Sequence, residues 1–150
     1  VLEGNLGLRI SDILSLRLSD IVRDGDRYRL EITEQKTKKK RVFTVPLVIQ
    51  QYIENYCLRN GIGKTERIFD LTERAISKQL ALVCDYLGFE GIRTHSFRKW
   101  YATEIYKNNG YDITLVQRLL QHSSAAITQR YIGIEPQRIE EAIEGHTQLL

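Results

Sequence analysis

The sequence predicts an α+β fold that is mainly helical and contains one small three-stranded antiparallel sheet. Three short β-prone segments precede Pro46, whereas the apolar residues after Pro46 recur at the three- and four-residue spacing of helices. The chain has 150 residues, of which 42% are hydrophobic, and this is enough for one domain with its own core. No repeat, low-complexity tract or long linker divides it. We therefore expect a single domain over residues 1–150.

Three segments make up the predicted sheet. Residues 20–22 are β-prone and are followed by an Asp-Gly pair, which favours a tight hairpin turn. Residues 27–33 alternate apolar and polar side chains, as a strand with one buried face does. Residues 42–45 form the third strand, which Pro46 ends. The basic run at residues 36–41 therefore falls in the turn between the last two strands.

Seven helical segments are predicted from apolar spacing and from residues that begin or end helices. They lie at residues 8–18, from 49 to about 60, at 72–88, at 95–108, after Asp112, after Ser123 or Ser124, and after Pro136. In the segment that follows Thr72, one face carries apolar side chains. They are Ile76, Leu80, Val83 and Leu87.

The basic residues are concentrated, although the net charge is only +3. A dense basic run favours a polyanion as partner, so the candidate DNA contacts are Lys38, Lys39, Lys40 and Arg41. A solvated hairpin tip explains such a run at least as well when it is considered alone.

Several function classes lack their sequence patterns. No apolar run approaches the roughly 18 residues of a membrane span. His95 and His122 lie on different segments, and no C-x-x-C or H-x-x-x-H pair is present, so we expect no metal site. No phosphate-binding glycine motif is present either, so we expect no cofactor. Cys57 and Cys84 lie in helical patterns and are interpreted as reduced thiols, which indicates a cytoplasmic protein.

Two single features point to phosphate chemistry without establishing it. His95 and Arg98 are three residues apart, so they share a face at the start of a helix, where anions are attracted. Arg98 can donate two parallel hydrogen bonds to phosphate oxygens. An H-x-x-R pair is common by chance, however, and Tyr131 is one of eight tyrosines. A structural role is the better explanation for each of these residues when it is taken alone.

Four motifs follow one another along the chain. They are G-L-R-I-S-D at residues 7–12, K-T-x-K at 36–39, H-S-F-R at 95–98, and L-L-Q-H at 119–122 with Tyr131 nine residues after the histidine. Over residues 6–133 this set resembles the tyrosine recombinase (phage integrase) family, and specifically its C-terminal catalytic domain. The resemblance implies the DNA breaking-rejoining fold. It also implies a fragment that lacks the family's first helix and N-terminal core-binding domain.

The resemblance implies that four residues bind the scissile phosphate. Arg9 and Arg98 are expected to hold its non-bridging oxygens. His95 is expected to support phosphate binding and proton transfer, and His122 to donate a hydrogen bond to the phosphate. Permanently charged guanidinium groups suit this task, because in-line attack builds negative charge on those oxygens.

Two further residues are implied to make and break bonds. Tyr131 is expected to be the nucleophile, and its hydroxyl needs activation because a tyrosine pKa is near 10. Lys36 is expected to protonate the leaving 5′ oxygen, with Lys38, Lys39 and Lys40 as alternatives in the same turn. The implied function is a site-specific DNA recombinase or integrase that cleaves and rejoins DNA through a 3′-phosphotyrosine, without metal or ATP.

The expected partner is double-stranded DNA that carries a core site. The protein is expected to act in the bacterial cytoplasm, in the recombination of a phage or another mobile element. Residues 136–150 carry a short apolar stripe of Ile139, Ala142 and Ile143. This segment is expected either to link protomers into a tetramer on DNA or to pack on its own chain. Two other functions remain alternatives: a type IB topoisomerase-like relaxing enzyme, and a catalytically silent DNA-binding module.

Overall fold

A computed structural model of the chain describes residues 1–133, 141 and 143–145. Within these residues the helices are α1 (Leu2–Leu6), α2 (Ile10–Ser15), α3 (Leu47–Arg59), α4 (Glu73–Leu87), α5 (Thr94–Asn108), α6 (Ile113–Leu120) and α7 (Ala125–Ile132). The strands are β1 (Ile21–Asp24), β2 (Arg27–Thr33) and β3 (Lys40–Val45), and a short 3-10 helix covers Leu18–Asp20. The mainly helical α+β fold with one three-stranded antiparallel sheet is therefore confirmed.

The chain divides into two compact units, Val1–Arg98 and Lys99–Leu150, and α5 begins in the first and continues in the second. The core of the first unit is formed by apolar residues from the sheet and the surrounding helices, among them Leu6, Leu8, Leu16, Leu30, Val45, Ile53 and Ile68. The core of the second unit is formed by Ala102, Tyr106, Val116, Leu120 and Ile132. That residues 1–150 act as a single domain stays a prediction.

Strand β2 is the central strand of the sheet, in the order β1-β2-β3. Its Leu30 lies opposite Ile21 of β1 and Phe43 of β3, and it is fully buried. Side chains two residues apart along a strand point to the same face. Ile32 and then Glu34 therefore continue the inward-facing row that contains Leu30, and Glu34 is also fully buried.

Helix ends follow the predicted signals closely. Thr72, Asp112 and Ser124 each accept a hydrogen bond from a backbone N–H in the first turn of the helix that follows. Gly88 ends α4 in the left-handed conformation, with φ of 70°. None of the helices in the part of the chain that the structure describes is long and apolar enough to span a membrane.

The first predicted helix, at residues 8–18, is wrong in extent. Only α2 forms there, and Leu16 leaves the helical conformation with ψ of 143°. The carbonyl of Leu16 accepts a hydrogen bond from the backbone N–H of Ile68 at 2.9 Å, and both side chains are buried. Pairing with a distant segment thus overrides the local helical spacing. Helix α1, which ends at the left-handed Gly7, is an element that the sequence pattern did not predict.

Two other predicted helices need comment. On the apolar face of α4, Val83 and Leu87 are exposed, because helical spacing identifies a shared face without saying what covers it. The helix predicted after Pro136 falls mostly outside the described residues. Of its apolar stripe, Ile139 and Ala142 lie outside them, and Ile143 is exposed.

Candidate active site

Arg9 is held by a buried carboxylate at the end of strand β2. Its Nη1 donates a hydrogen bond to Glu34 Oε2 over 2.6 Å. The Arg9 side chain is 24% exposed, whereas that of Glu34 has no exposed surface. Arg9 also precedes α2, where its carbonyl accepts hydrogen bonds from the N–H groups of Asp12 and Ile13 at 3.0 Å. Both the backbone and the guanidinium of Arg9 are therefore fixed.

The β2–β3 turn, which carries Lys36, is fastened at two points. Thr37 Oγ1 donates to Glu34 Oε2 over 2.6 Å. The backbone N–H of Gln35 donates to Oδ1 of the buried Asp12 over 2.8 Å. Lys36 lies between these two anchored residues, and its own side chain is exposed. The base of the turn is anchored by these hydrogen bonds, whereas the long lysine side chain is accessible to a ligand.

The four cations that follow Lys36 do not share one environment. Lys38, Lys39 and Lys40 are exposed, as expected for contacts with a polyanion. Arg41 departs from that expectation, because it is only 4% exposed. Its Nη1 donates to the Gly7 carbonyl over 3.3 Å and lies 3.6 Å from Glu34 Oε1, and its guanidinium stacks on Phe43. The alternating strand pattern turns Arg41 inward, so it supports the fold of the first unit.

Glu34 is ionised more readily than an ordinary glutamate. Burial raises its pKa, but hydrogen bonds from Thr37 and Arg9 and the positive charges of Arg9 and Arg41 outweigh burial. The net result is a pKa below the ordinary value of 4.5. Glu34 is thus a carboxylate at neutral pH, and it partly balances the two arginines.

His95 and Arg98 lie in the first turns of α5 and differ in burial. His95 is exposed, whereas Arg98 is 4% exposed. Arg98 lies close enough to Glu3 of α1 to lower the pKa of that carboxyl, but burial dominates and raises it to about 7. Glu3 borders a mostly apolar groove of about 260 Å³, which explains why its charged form is disfavoured.

His122 and Tyr131 lie close together in the second unit, on either side of the α6–α7 turn. Their ring centroids are 5.3 Å apart in an edge-to-face arrangement. His122 Nδ1 is 3.1 Å from Thr128 Oγ1, and the Thr128 hydroxyl donates to the Ser124 carbonyl over 3.3 Å. The hydrogen bond between His122 Nδ1 and Thr128 Oγ1 orients the imidazole ring. It directs Nε2, the other ring nitrogen, away from Thr128.

Three supporting residues were missed by sequence reasoning. Asp12 and Glu34 fasten Arg9 and the lysine turn, and Thr128 orients His122. Glu34 carried a readable signal, because it continues the inward row of Leu30 and Ile32. Thr128 also carried one, since it lies four residues before the buried Ile132 on the same face of α7.

No group of three or more His, Cys, Asp or Glu side chains among the described residues is arranged to hold a metal ion. The candidate residues instead form two sets. In the first unit these are Arg9, Lys36, His95 and Arg98, and in the second unit His122 and Tyr131.

Comparison with known proteins identifies the family. The model of the Phage integrase family matches residues 4–138. The chain belongs to the phage integrase family. The membership predicted from the four motifs is therefore confirmed.

Relatives of this integrase-family chain include bacterial and archaeal proteins. It is 37% identical over 139 residues to the probable integrase/recombinase YoeC of Bacillus subtilis, which covers 87% of this chain and 73% of that protein. It is 28% identical over 146 residues to the tyrosine recombinase XerA of Pyrococcus furiosus, with coverage of 92% and 50%. The chain thus spans about half the length of that Xer recombinase.

Solved structures of the family have the same fold. The XerH site-specific recombinase, in a post-cleavage complex with a palindromic difH substrate, matches with a TM-score of 0.74 and 24% identity. That match covers 95% of this chain and 43% of XerH. The catalytic domain of bacteriophage HP1 integrase matches with a TM-score of 0.63 and 22% identity, and covers 98% and 79%. At these identities the likeness establishes the fold.

Proposed function

We propose that the chain is the catalytic part of a site-specific DNA recombinase or integrase, which cleaves and rejoins DNA through a 3′-phosphotyrosine at Tyr131 without metal or ATP. The observation that carries this proposal is the pairing of His122 and Tyr131 across one capped turn, in a chain of the phage integrase family. We further propose that residues 1–150 are one functional domain of a longer protein.

The proposed reaction begins with phosphate binding. Arg9 and Arg98 hold the two non-bridging oxygens, and His95 supports them and assists proton transfer. His122 donates a further hydrogen bond through Nε2, because Nδ1 is engaged by Thr128. Fixed donors of this kind stabilise the charge that develops on a phosphoryl group during attack.

The bond-making step follows from this arrangement. The Tyr131 oxygen forms a bond to phosphorus as the bond from phosphorus to the 5′ oxygen breaks. The tyrosine gives its proton to His95, the residue proposed to assist proton transfer, and Lys36 gives a proton to the leaving 5′ oxygen. The covalent phosphotyrosine conserves the bond energy, so the reverse step rejoins a strand when a 5′ hydroxyl attacks. The exposed position of Lys36 on an anchored turn supports its role as the acid, and Lys38, Lys39 and Lys40 are alternatives.

The proposed partner is double-stranded DNA that carries a core site. Lys38, Lys39 and Lys40 are exposed beside the catalytic lysine and are proposed to contact its backbone. The cytoplasm is the proposed place of action. Self-association into a tetramer through residues 136–150 is part of the same proposal, and a truncation that ends at Gly133 tests it: unchanged assembly on DNA contradicts that role.

The competing functions receive less support. Structural relatives include XerH bound to a recombination substrate and the Tn1549 transposon integrase bound to circular intermediate DNA, so paired-site recombination is favoured over simple relaxation of supercoils. The presence of all six candidate residues argues against a silent module. Relaxation of supercoiled plasmid that lacks a core site, without recombination of paired sites, would instead support the topoisomerase alternative.

The decisive test is formation of a covalent protein–DNA adduct. The full natural-length protein is incubated with a nicked suicide duplex that carries the recombination site from the DNA beside its gene, and the products are separated on a denaturing gel. We expect an adduct with the wild type and none with Tyr131→Phe. Tyr86→Phe is the matched control, because Tyr86 is 89% exposed and lies outside the candidate site. An adduct that persists in Tyr131→Phe contradicts the assignment.

A further inference from the structure

We infer that Glu34 is a positioning residue that sets the guanidinium of Arg9 and the turn of Lys36 in one fixed arrangement toward the scissile phosphate. This inference rests on the proposed function of Arg9 and Lys36. Glu34 does not touch the reacting atoms in this scheme. It acts through the two residues that do.

Glu34 holds Arg9 through one side-chain hydrogen bond. A guanidinium has five N–H donors in a planar fork. Glu34 engages Nη1, and the structure records no other side-chain hydrogen bond of Arg9 among the described residues. One bond at 2.6 Å thus anchors Nη1 of the group and leaves the other donors for phosphate oxygens. The partial exposure of Arg9 makes those donors accessible.

Glu34 also holds the turn that carries Lys36, through its side chain and its backbone. Oε2 of Glu34 accepts from Thr37 as well as from Arg9. The backbone of Glu34 donates to the Lys39 carbonyl over 2.9 Å and accepts from the Lys38 N–H over 3.0 Å. The three residues that follow Lys36 are therefore tied to the residue that anchors Arg9. A shift of Glu34 moves both cations together.

The negative charge of Glu34 also acts on the arginines around it. Glu34 faces Arg9 on one side and the buried Arg41 on the other, so its carboxylate offsets part of their positive charge. A neutral glutamine removes that offset and weakens the bond to Arg9, since hydrogen bonds between charged groups are the stronger ones. DNA affinity should then be unchanged or increased, whereas the alignment for attack should be worse. A role limited to folding does not predict slower cleavage together with unchanged or increased DNA affinity.

The test compares Glu34→Gln with wild type on two nicked suicide substrates, one with a normal scissile phosphate and one with a methylphosphonate in its place. The methylphosphonate lacks one non-bridging oxygen and is neutral, so its cleavage depends less on the charge and hydrogen bonds of Arg9. We expect single-turnover cleavage of the phosphate to fall by up to about 100-fold, the scale of a misplacement near 1 Å. We expect a clearly smaller fall on the methylphosphonate, and no loss of DNA affinity.

Glu31→Gln is the matched control, because Glu31 lies on β2, which ends one residue before Glu34, and is exposed. It should leave both rates unchanged. An equal fall of Glu34→Gln on both substrates makes Glu34 merely structural and overturns the inference, as does an unchanged rate on the phosphate. A wild-type protein that forms no Tyr131 adduct is a different result, which removes the proposed function itself.

A second variant covers the case in which Glu34→Gln does not fold. Thr37→Val removes one hydrogen bond to Glu34 from an exposed turn residue and leaves the carboxylate in place. We expect cleavage to fall by about 10-fold, as for loss of one hydrogen bond to a charged group. The rate should recover on a substrate with sulfur as the bridging 5′ atom, because a thiolate leaves without a proton from Lys36. Failure to recover overturns the link between Glu34 and the lysine turn.

Discussion

Glu34 and Glu3 are both buried glutamates of the first unit that lie beside a candidate phosphate-binding arginine, yet their pKa values move in opposite directions. Glu34 accepts short hydrogen bonds from Arg9 and Thr37, and its pKa is lowered. Glu3 experiences the charge of Arg98, but burial raises its pKa to about 7. Both carboxyls have almost no exposed surface.

The difference between these two glutamates shows that burial alone does not decide the charge of a carboxyl group. Direct hydrogen bonds from charged donors offset the loss of hydration at Glu34, whereas a nearby charge without such bonds is too weak at Glu3. The guanidinium of Arg9 therefore has a permanent anionic partner at neutral pH. Glu3 titrates near neutral pH, so its charge beside Arg98 changes with conditions.

The largest expected effect comes from removing Arg9, whose hydrogen bond to Glu34 distinguishes that carboxylate from Glu3. Arg9→Ala should lower the rate of adduct formation by about 100- to 1,000-fold, as when one stabilising donor is lost from an active site. It should also lower the free energy of unfolding by about 2 kcal/mol, because the buried Glu34 loses its closest cation. Single-turnover cleavage and urea unfolding measure the two effects.

Arg29→Ala is the control for Arg9→Ala, because Arg29 pairs with Asp24 at the surface, where the side chains are 42% and 49% exposed. It should change the free energy of unfolding by no more than about 0.5 kcal/mol and leave cleavage unchanged. If both variants lose the same stability, the contrast between a buried and an exposed ion pair is not supported.

The next effect is the pH dependence that Glu3 gives to stability. Because the folded-state pKa of Glu3 is raised from 4.5 to about 7, its contribution is fully present below pH 4.5 and is lost as pH rises through 7. Urea unfolding across this range should show a smaller pH dependence in Glu3→Gln than in wild type. Identical profiles would mean that Glu3 is not buried as a neutral acid.

The smallest effect extends the comparison to an uncharged partner in the second unit. Thr128→Val keeps the shape of the side chain but removes the hydroxyl that orients His122. We expect about 1 kcal/mol of destabilisation from the lost hydrogen bond, and about a 10-fold slower cleavage. Thr103→Val is the control, since the Thr103 hydroxyl donates to the backbone carbonyl of Lys99 over 2.9 Å. Equal cleavage by both variants would contradict an orienting role for Thr128.

Much of the fold could be predicted from local signals. The alternating residues of β2, the capping residues Thr72 and Asp112, and the glycine at the end of α4 identified their elements correctly. Such signals act between near neighbours along the chain, so they are visible without a tertiary structure. The segment around Leu16 failed for the opposite reason, since its hydrogen bond to Ile68 joins residues that are far apart in sequence.

Four motifs in order carry the chemistry of phosphate attack, so they were enough to predict the family and the six candidate residues. How those residues are supported depends on contacts between segments that are far apart in the chain. The tertiary structure placed Arg41 inside the fold rather than at the surface, and it brought Glu34 to Arg9 across 25 positions of the chain. It also brought Asp12 to the lysine turn. A motif names the groups that act, whereas packing and hydrogen bonding between distant segments fix their direction and charge.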